Sequence, residues 1–250
     1  MPFLSASRAE PAVPTLGNPL EEEEEPVPPP GPEGQPEGSS GPPSPSLPEV
    51  GQAEEVRVFV YTTHNAESYV PDYGVAKVAP GSAGGVTRVA AVLAAALEEQ
   101  GVRTVLSTAV HDYPDFRWSY VKAESTVKAA LARYPRLSLI VDVHRDAGQN
   151  RPVTAAVEGQ TVAQILLVVG SDRRLAHPNW QENLAFAKKV EAKMNELFPG
   201  LCAGTRVQDG RYNQHLHPRA ILVEVGNHLN TLAEAEASAR LLARVLKEVL

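Results

Sequence analysis

Leu137-Ser138-Leu139-Ile140-Val141-Asp142-Val143-His144-Arg145-Asp146 is the stretch whose reading decides the fold. Leu139-Ile140-Val141 is apolar without alternation, as in a strand buried on both faces of a sheet. Val56–Tyr61, Arg103–Thr108, Gln164–Gly170 and Ala220–Val225 are short β-branched runs of the same kind, and Val153–Val157 is a weaker one. Helical spacing falls between them. Val86, Val89, Ala90, Leu93 and Leu97 share one face, with Gly101 as a stop. Trp118–Tyr134 and Asn179–Phe198 are further helices, and Thr231–Leu250 begins with Thr231 and Glu234 in capping-box spacing. The order β-α-β-α-β-β-α-β-α predicts a three-layer α/β domain on a largely parallel mixed sheet.

The 250-residue chain is not uniform. Of its 22 prolines, 14 lie in residues 1–50, together with nine Glu and one Arg. That segment carries −8 of a net −7, which leaves +1 for residues 51–250. Residues 1–52 therefore read as a disordered Pro/Glu-rich tail or linker, too poor in apolar surface to offset the entropy of ordering. Residues 53–250 read as one catalytic domain. A nearly neutral domain lacks the basic surplus that nucleic-acid binding needs. No run of about 18 apolar residues is present, so no transmembrane segment is expected, and Met1–Arg8 lacks the pattern of an export signal. The single cysteine, Cys202, excludes an internal disulfide and a Cys-based zinc site.

Chemistry gathers where three predicted strands end. His64-Asn65-Ala66-Glu67 follows the first, His144-Arg145-Asp146 the third, and Glu224 lies near the end of Ala220–Val225. Open α/β sheets place their sites beyond the carboxyl ends of strands. Two His and one Glu are a common zinc set in hydrolases, leaving one position for water. His64, Glu67 and His144 are thus the candidate zinc ligands, and Glu224 is the candidate general base. Asp142 or Asp146 is placed to fix the tautomer of a ligating imidazole. His111, His177, His215 and His217 read as exposed or structural, whereas His228, close to Glu224, competes as a ligand or substrate contact.

At these residues the chain resembles the stage II sporulation protein P family of peptidoglycan hydrolases. The similarity rests on Tyr61-Thr62-Thr63-His64-Asn65-Ala66-Glu67-Ser68-Tyr69 and Val141-Asp142-Val143-His144-Arg145-Asp146-Ala147. It continues through Val169-Gly170-Ser171, Asn179-Trp180 with Asn183, Tyr212-Asn213-Gln214, Val223-Glu224-Val225-Gly226 and Asn230-Thr231, in that order. The resemblance implies a fold like zinc amidases and carboxypeptidases, and N-acetylmuramoyl-L-alanine amidase activity with endopeptidase action on cross-links as a further capacity. It also implies an extracytoplasmic site at the sporulation septum and a lytic transglycosylase partner of the stage II sporulation protein D family. Its metal and catalytic positions map onto His64, Glu67, His144 and Glu224. Two features depart from it: Thr62 stands where the family usually has histidine, and the usual N-terminal membrane helix is not seen in this sequence.

Two other readings compete. A zinc carboxypeptidase suits the same residues but needs an arginine for the terminal carboxylate; Arg145, Arg211 and Arg219 are available. A non-catalytic wall-binding module would be favoured by the loss of a ligand or of the base, and all four residues are present.

Overall fold

The computed structural model describes Ala53 and residues 55–250. The reading of residues 1–52 as a tail lies wholly outside them. The main sheet has six strands in the order β2-β1-β3-β8-β6-β7. They are β1 (Val58–Tyr61), β2 (Thr104–Leu106), β3 (Leu139–Asp146), β6 (Ile165–Gly170), β7 (Cys202–Gln208) and β8 (Ala220–Asn227). Strands β2, β1, β3 and β8 are mutually parallel, β6 is antiparallel to β8, and β7 is parallel to β6. The sheet is therefore mixed and mostly parallel, as expected.

Alternation along each strand divides the core into two layers. Val58, Val60, Val141, Val143, Val223, Val225, Leu167 and Val169 share one face. Against them pack α2 (Gly85–Glu99), α4 (Trp180–Leu197) and α5 (Leu232–Val249), through residues such as Leu93, Leu97, Val190, Met194, Leu242 and Leu246. Phe59, Tyr61, Ile140 and Ala220 point the other way and pack on Ala123, Val127, Ala130 and Tyr134, chiefly from α3 (Ser119–Arg133). One helix thus covers the β1–β3 half of that face. Leu222 of β8 and Val168 of β6, on the same face further across, line an open cleft instead.

Helix α5 starts as the sequence predicts. Thr231 Oγ1 accepts from the Glu234 N–H, and the Glu234 carboxylate accepts from the Thr231 N–H. Such a cap contributes about 1 kcal/mol. The apolar face behind it is continuous from Leu232 to Val249.

Three elements depart from the sequence expectation. Val153–Val157 does not join the main sheet. Its observed core, β4 (Thr154–Val157), forms a separate hairpin with β5 (Gln160–Ala163). The turn residues Glu158 and Gly159 have φ of 50° and 79°, a left-handed pair that suits the twist of a two-residue hairpin. β7 was not anticipated. It is an edge strand, half exposed, and its pairing slips by one residue at Ile165/Leu166, which breaks its alternation. A single helical turn, α1 (Val70–Tyr73), follows the first site loop. Among the described residues no helix is long and apolar enough to cross a membrane.

Candidate functional site

The chain leaves β1 toward β2 on one side, and β3 then enters on β1's other side. The loops after β1 and β3 consequently diverge, and a crevice opens between them. His64 and Glu67 lie in the first loop, and His144 lies near the end of β3. His64 Nδ1 is 3.6 Å from Glu67 Oε1, and His144 Nδ1 is 3.5 Å from Glu67 Oε2. One donor atom from each of His64, Glu67 and His144 lies within 4.8 Å of the others, and all three side chains are buried. Bonds of about 2.0–2.1 Å to tetrahedral zinc put neighbouring donors roughly 3.4 Å apart. Two imidazoles and a carboxylate at this spacing fit zinc.

The first loop is pinned from several sides. The Thr63 N–H and hydroxyl donate to the two Asp142 carboxylate oxygens at 2.9 and 2.6 Å. Asn65 donates to Thr62 Oγ1 and to the Ala109 carbonyl, and accepts from the His111 N–H. The Ala66 N–H donates to Asp112 Oδ2. Gly84 donates its N–H to the Asn65 carbonyl, and its backbone runs so close that an added Cβ would collide with the Glu67 carbonyl oxygen. Thr62, where a histidine was expected, helps hold Asn65, and its carbonyl lies 2.8 Å from His111 Nδ1.

His144 stands between two carboxylates. Its Nε2 is 3.0 Å from Asp142 Oδ1, close but poorly aligned for a hydrogen bond. Asp142, not Asp146, is therefore the carboxylate beside the His144 imidazole. Burial works against the imidazolium, but the negative charges of Asp142 and Glu67 close beside it outweigh it and raise the His144 pKa well above its usual value. Burial likewise opposes the Glu67 charge, yet Arg145, His144 and His64 hold its carboxyl well below the usual range. Arg145 is buried and committed. Its backbone N–H donates to Glu67 Oε2, while its guanidinium donates to the Ser68 and Ala76 carbonyls.

Glu224 pairs in register with His144 across β3 and β8. Val223 and Val225 face the three-helix layer, so Glu224 faces the cleft. Its Oε2 is buried without a hydrogen-bond partner. Burial pushes its pKa up to about 8, aided by Glu67 and Asp146 and opposed by His144 and Arg145. The result is a protonatable carboxyl facing the same cleft as the donor cluster.

His228 is not in the cluster: its backbone bonds to Asp146 and Val70, and its ring does not line the cleft. His111 and His177 are buried, bonding Thr62, Thr126 and Asn183. Cys202 is half-buried beside Gly204, and burial raises its thiol pKa.

Residues that strand-end reasoning missed complete the site. Phe116 stacks on His64 at 4.4 Å, and Tyr120 meets the same imidazole edge-on at 5.3 Å. Lys77 Nζ sits 3.7 Å above the Phe116 ring. Tyr212 packs edge-on against Tyr120, and Asn213 Nδ2 donates to the Tyr120 carbonyl. Gln214 accepts from the Gly170 N–H and donates to the Val168 carbonyl, so Tyr212-Asn213-Gln214 ties the cleft wall to β6. The density of aromatics in Phe116-Arg117-Trp118-Ser119-Tyr120 was the available sequence signal. The whole cleft has a volume of about 410 Å³.

Comparison with known proteins places the chain in a family. The model of the family Stage II sporulation protein P (SpoIIP) matches residues 16–247. Stage II sporulation protein P of Bacillus subtilis (strain 168) is 34% identical over 209 residues, which cover 77% of this chain and 50% of the relative. The chain thus spans about half the length of that relative. In fold it is similar to the CwlD amidase of Clostridioides difficile, solved in complex with the GerS lipoprotein. The TM-score is 0.51 and the identity 10%, over 77% of this chain and 98% of that one. At that identity the likeness speaks for the fold alone. With a family match across nearly its whole length, the chain belongs to the stage II sporulation protein P family.

Proposed function

We propose that this protein is a zinc-dependent peptidoglycan hydrolase that cleaves the amide between N-acetylmuramic acid and L-alanine. The observation that carries the reading is the buried His64–Glu67–His144 cluster, with the raised, unpartnered carboxyl of Glu224 in the same cleft. Family membership and the amidase-like fold support the choice of substrate. Zinc in this cluster would supply Lewis acidity toward the scissile carbonyl and lower the pKa of a water.

The chain's own residues do the rest. His64, Glu67 and His144 hold the site, and Asp142 orients His144 from behind. Arg145 fixes Glu67 by its backbone N–H while its guanidinium braces residues 68–76. Glu224, ionised when zinc offsets its burial, would take a proton from the attacking water at Oε2 and deliver it to the departing L-alanine nitrogen. Phe116 and Tyr120 close one side of the site, limiting water near His64. The arginines weighed for a carboxypeptidase grip are engaged elsewhere. Arg145 braces the loop, Arg211 sits 3.6 Å from Glu124, and Arg219 lies over Phe186.

In this reading the enzyme works outside the cytoplasm on the septal wall of the sporulating cell, alongside a transglycosylase of the stage II sporulation protein D family. Cleavage of peptide cross-links is a second activity of the same centre. Digestion of purified peptidoglycan with the zinc-loaded protein, followed by mass spectrometry, tests the proposal. Free stem peptides beginning with L-alanine are expected. Products that all keep the muramoyl–alanine bond would overturn it.

A further inference from the structure

The cleft extends beyond the proposed reaction centre across β8, β6 and β7, and its far end holds a charge that the chemistry described so far does not use. Two rows of paired residues cross this part of the sheet. His144, Glu224, Leu166 and Gly204 form one row, and Asp142, Leu222, Val168 and Arg206 form the next. Residues in register share a face, so Arg206 projects on the same side as Glu224. Leu222 and Val168, both buried, lie between Asp142 and Arg206 as an apolar floor.

Arg206 is half-buried and lines the cleft, and the structure gives it no hydrogen bond or ion pair among the described residues. Nearby Arg173, by contrast, has an acidic neighbour, Asp209, at 3.5 Å. A half-buried arginine that lines the cleft next to an apolar floor has its fork of donors unspent. Such a group is suited to a planar carboxylate.

We infer that Arg206 is a substrate-binding residue that receives a carboxylate on the peptide portion of the substrate, about two residues from the scissile amide. Spacing sets that register. β7 lies two strands from β8, about 10 Å, and the two rows differ by two residues, about 7 Å, which puts the backbones of Arg206 and Glu224 about 12 Å apart. Both side chains reach into the intervening space, and an extended peptide covers about 3.5 Å per residue. The remaining gap fits a second-residue acid. In a muramoyl peptide that residue is γ-linked D-glutamate, whose α-carboxylate is free. This assignment rests on the proposed amidase reading for its substrate, but the recognition it describes is measurable without turnover.

The test uses the full-length zinc-loaded protein carrying E224Q, so that ligands are held and not cleaved. Binding of N-acetylmuramoyl-L-alanyl-D-glutamate is compared with that of its D-isoglutamine amide, which differs only in the α-carboxylate. The acid is expected to bind about 10-fold tighter than the amide, and R206A in the E224Q background should erase that preference while leaving amide binding unchanged. R206K should keep part of it, because it retains the charge and loses the fork. Unchanged thermal unfolding of R206A separates recognition from damage to the edge strand. Equal binding of acid and amide, no binding of either, or a preference that survives R206A would overturn the inference. The amidase reading fails separately: an acid preference that depends on Arg206 in a protein that leaves muramoyl–alanine bonds intact would retain this subsite and reject that reaction.

Discussion

Substituting Glu224 by Gln tests the electrostatics of the site before any substrate is added. The carboxyl moves from its ordinary value of 4.5 to about 8 in the folded protein, mainly because burial penalises its charged form. A carboxyl whose folded pKa lies above its unfolded value favours folding while it is protonated. Its stabilisation is complete below about 4.5 and is lost as pH rises toward 8. At 1.36 kcal/mol per pH unit, the loss by pH 7 reaches about 3 kcal/mol. Gln keeps the shape and cannot ionise, so the Glu224→Gln protein escapes this loss.

The assay is thermal unfolding of wild type and variant in a chelator, at pH 5 and at pH 7.5. For a folded region of this size, 1 kcal/mol corresponds to about 2–4 °C. The variant should therefore gain several degrees on wild type between the two pH values. Zinc favours the ionised carboxylate and should shrink that gain. Turnover of the zinc-loaded variant should fall about 10²-fold or more with zinc retained. A difference in melting temperature that stays constant from pH 5 to pH 7.5 would refute the reasoning, because Glu224 would then be solvated and its carboxyl unshifted.

Other outcomes follow from the same geometry. His144→Ala should lose zinc and activity together, read by metal analysis beside a rate assay; full zinc occupancy would remove His144 from the ligand set. Zinc binding near neutral pH should release a proton from His144, whose pKa is raised well above its usual value. Zinc affinity should accordingly weaken as pH falls, and calorimetry in two buffers of different ionisation heat should show the release. Gly84→Ala forces a methyl group against the Glu67 carbonyl. It should cost about 1–3 kcal/mol in unfolding and weaken zinc binding, whereas substitution of Gly101, which has open space around it, should leave zinc binding intact.

The main architecture was legible because the central strands are buried on both faces. β3 and β6 carry nearly unbroken apolar runs, and that signal does not depend on knowing their neighbours. The candidate metal residues were legible for a related reason: His64 and Glu67 come just after β1, and His144 lies near the end of β3. β7 was not, because Ala203, Thr205 and Val207 alternate only weakly on a half-exposed edge that slips register. The hairpin strand β5 was hidden by its turn, since Glu158-Gly159 lacks the Asn or Asp that usually marks a left-handed pair. Tyr120 was missed for a tertiary reason. It begins a helix far from His64 in sequence, and Asn213 and Tyr212, later still in the chain, help fix its place.

The site depends on uneven coverage of the sheet. Three helices press on one face, which forces Val143, Val223 and Val225 into that layer and turns His144 and Glu224 to the other. On the other face α3 covers β1 and β3, drying the imidazoles with Phe116 and Tyr120 at its start. Beyond β3 no α-helix covers that face among the described residues, so the β8–β6–β7 half becomes the cleft floor. A ligand cluster needs burial to keep its geometry, and a substrate needs access. Here a single boundary between β3 and β8 supplies both, with His144 on one side and Glu224 on the other. The fold should then tolerate changes on the far helices as long as Val223 and Val225 stay packed, because their burial holds Glu224 toward the cleft.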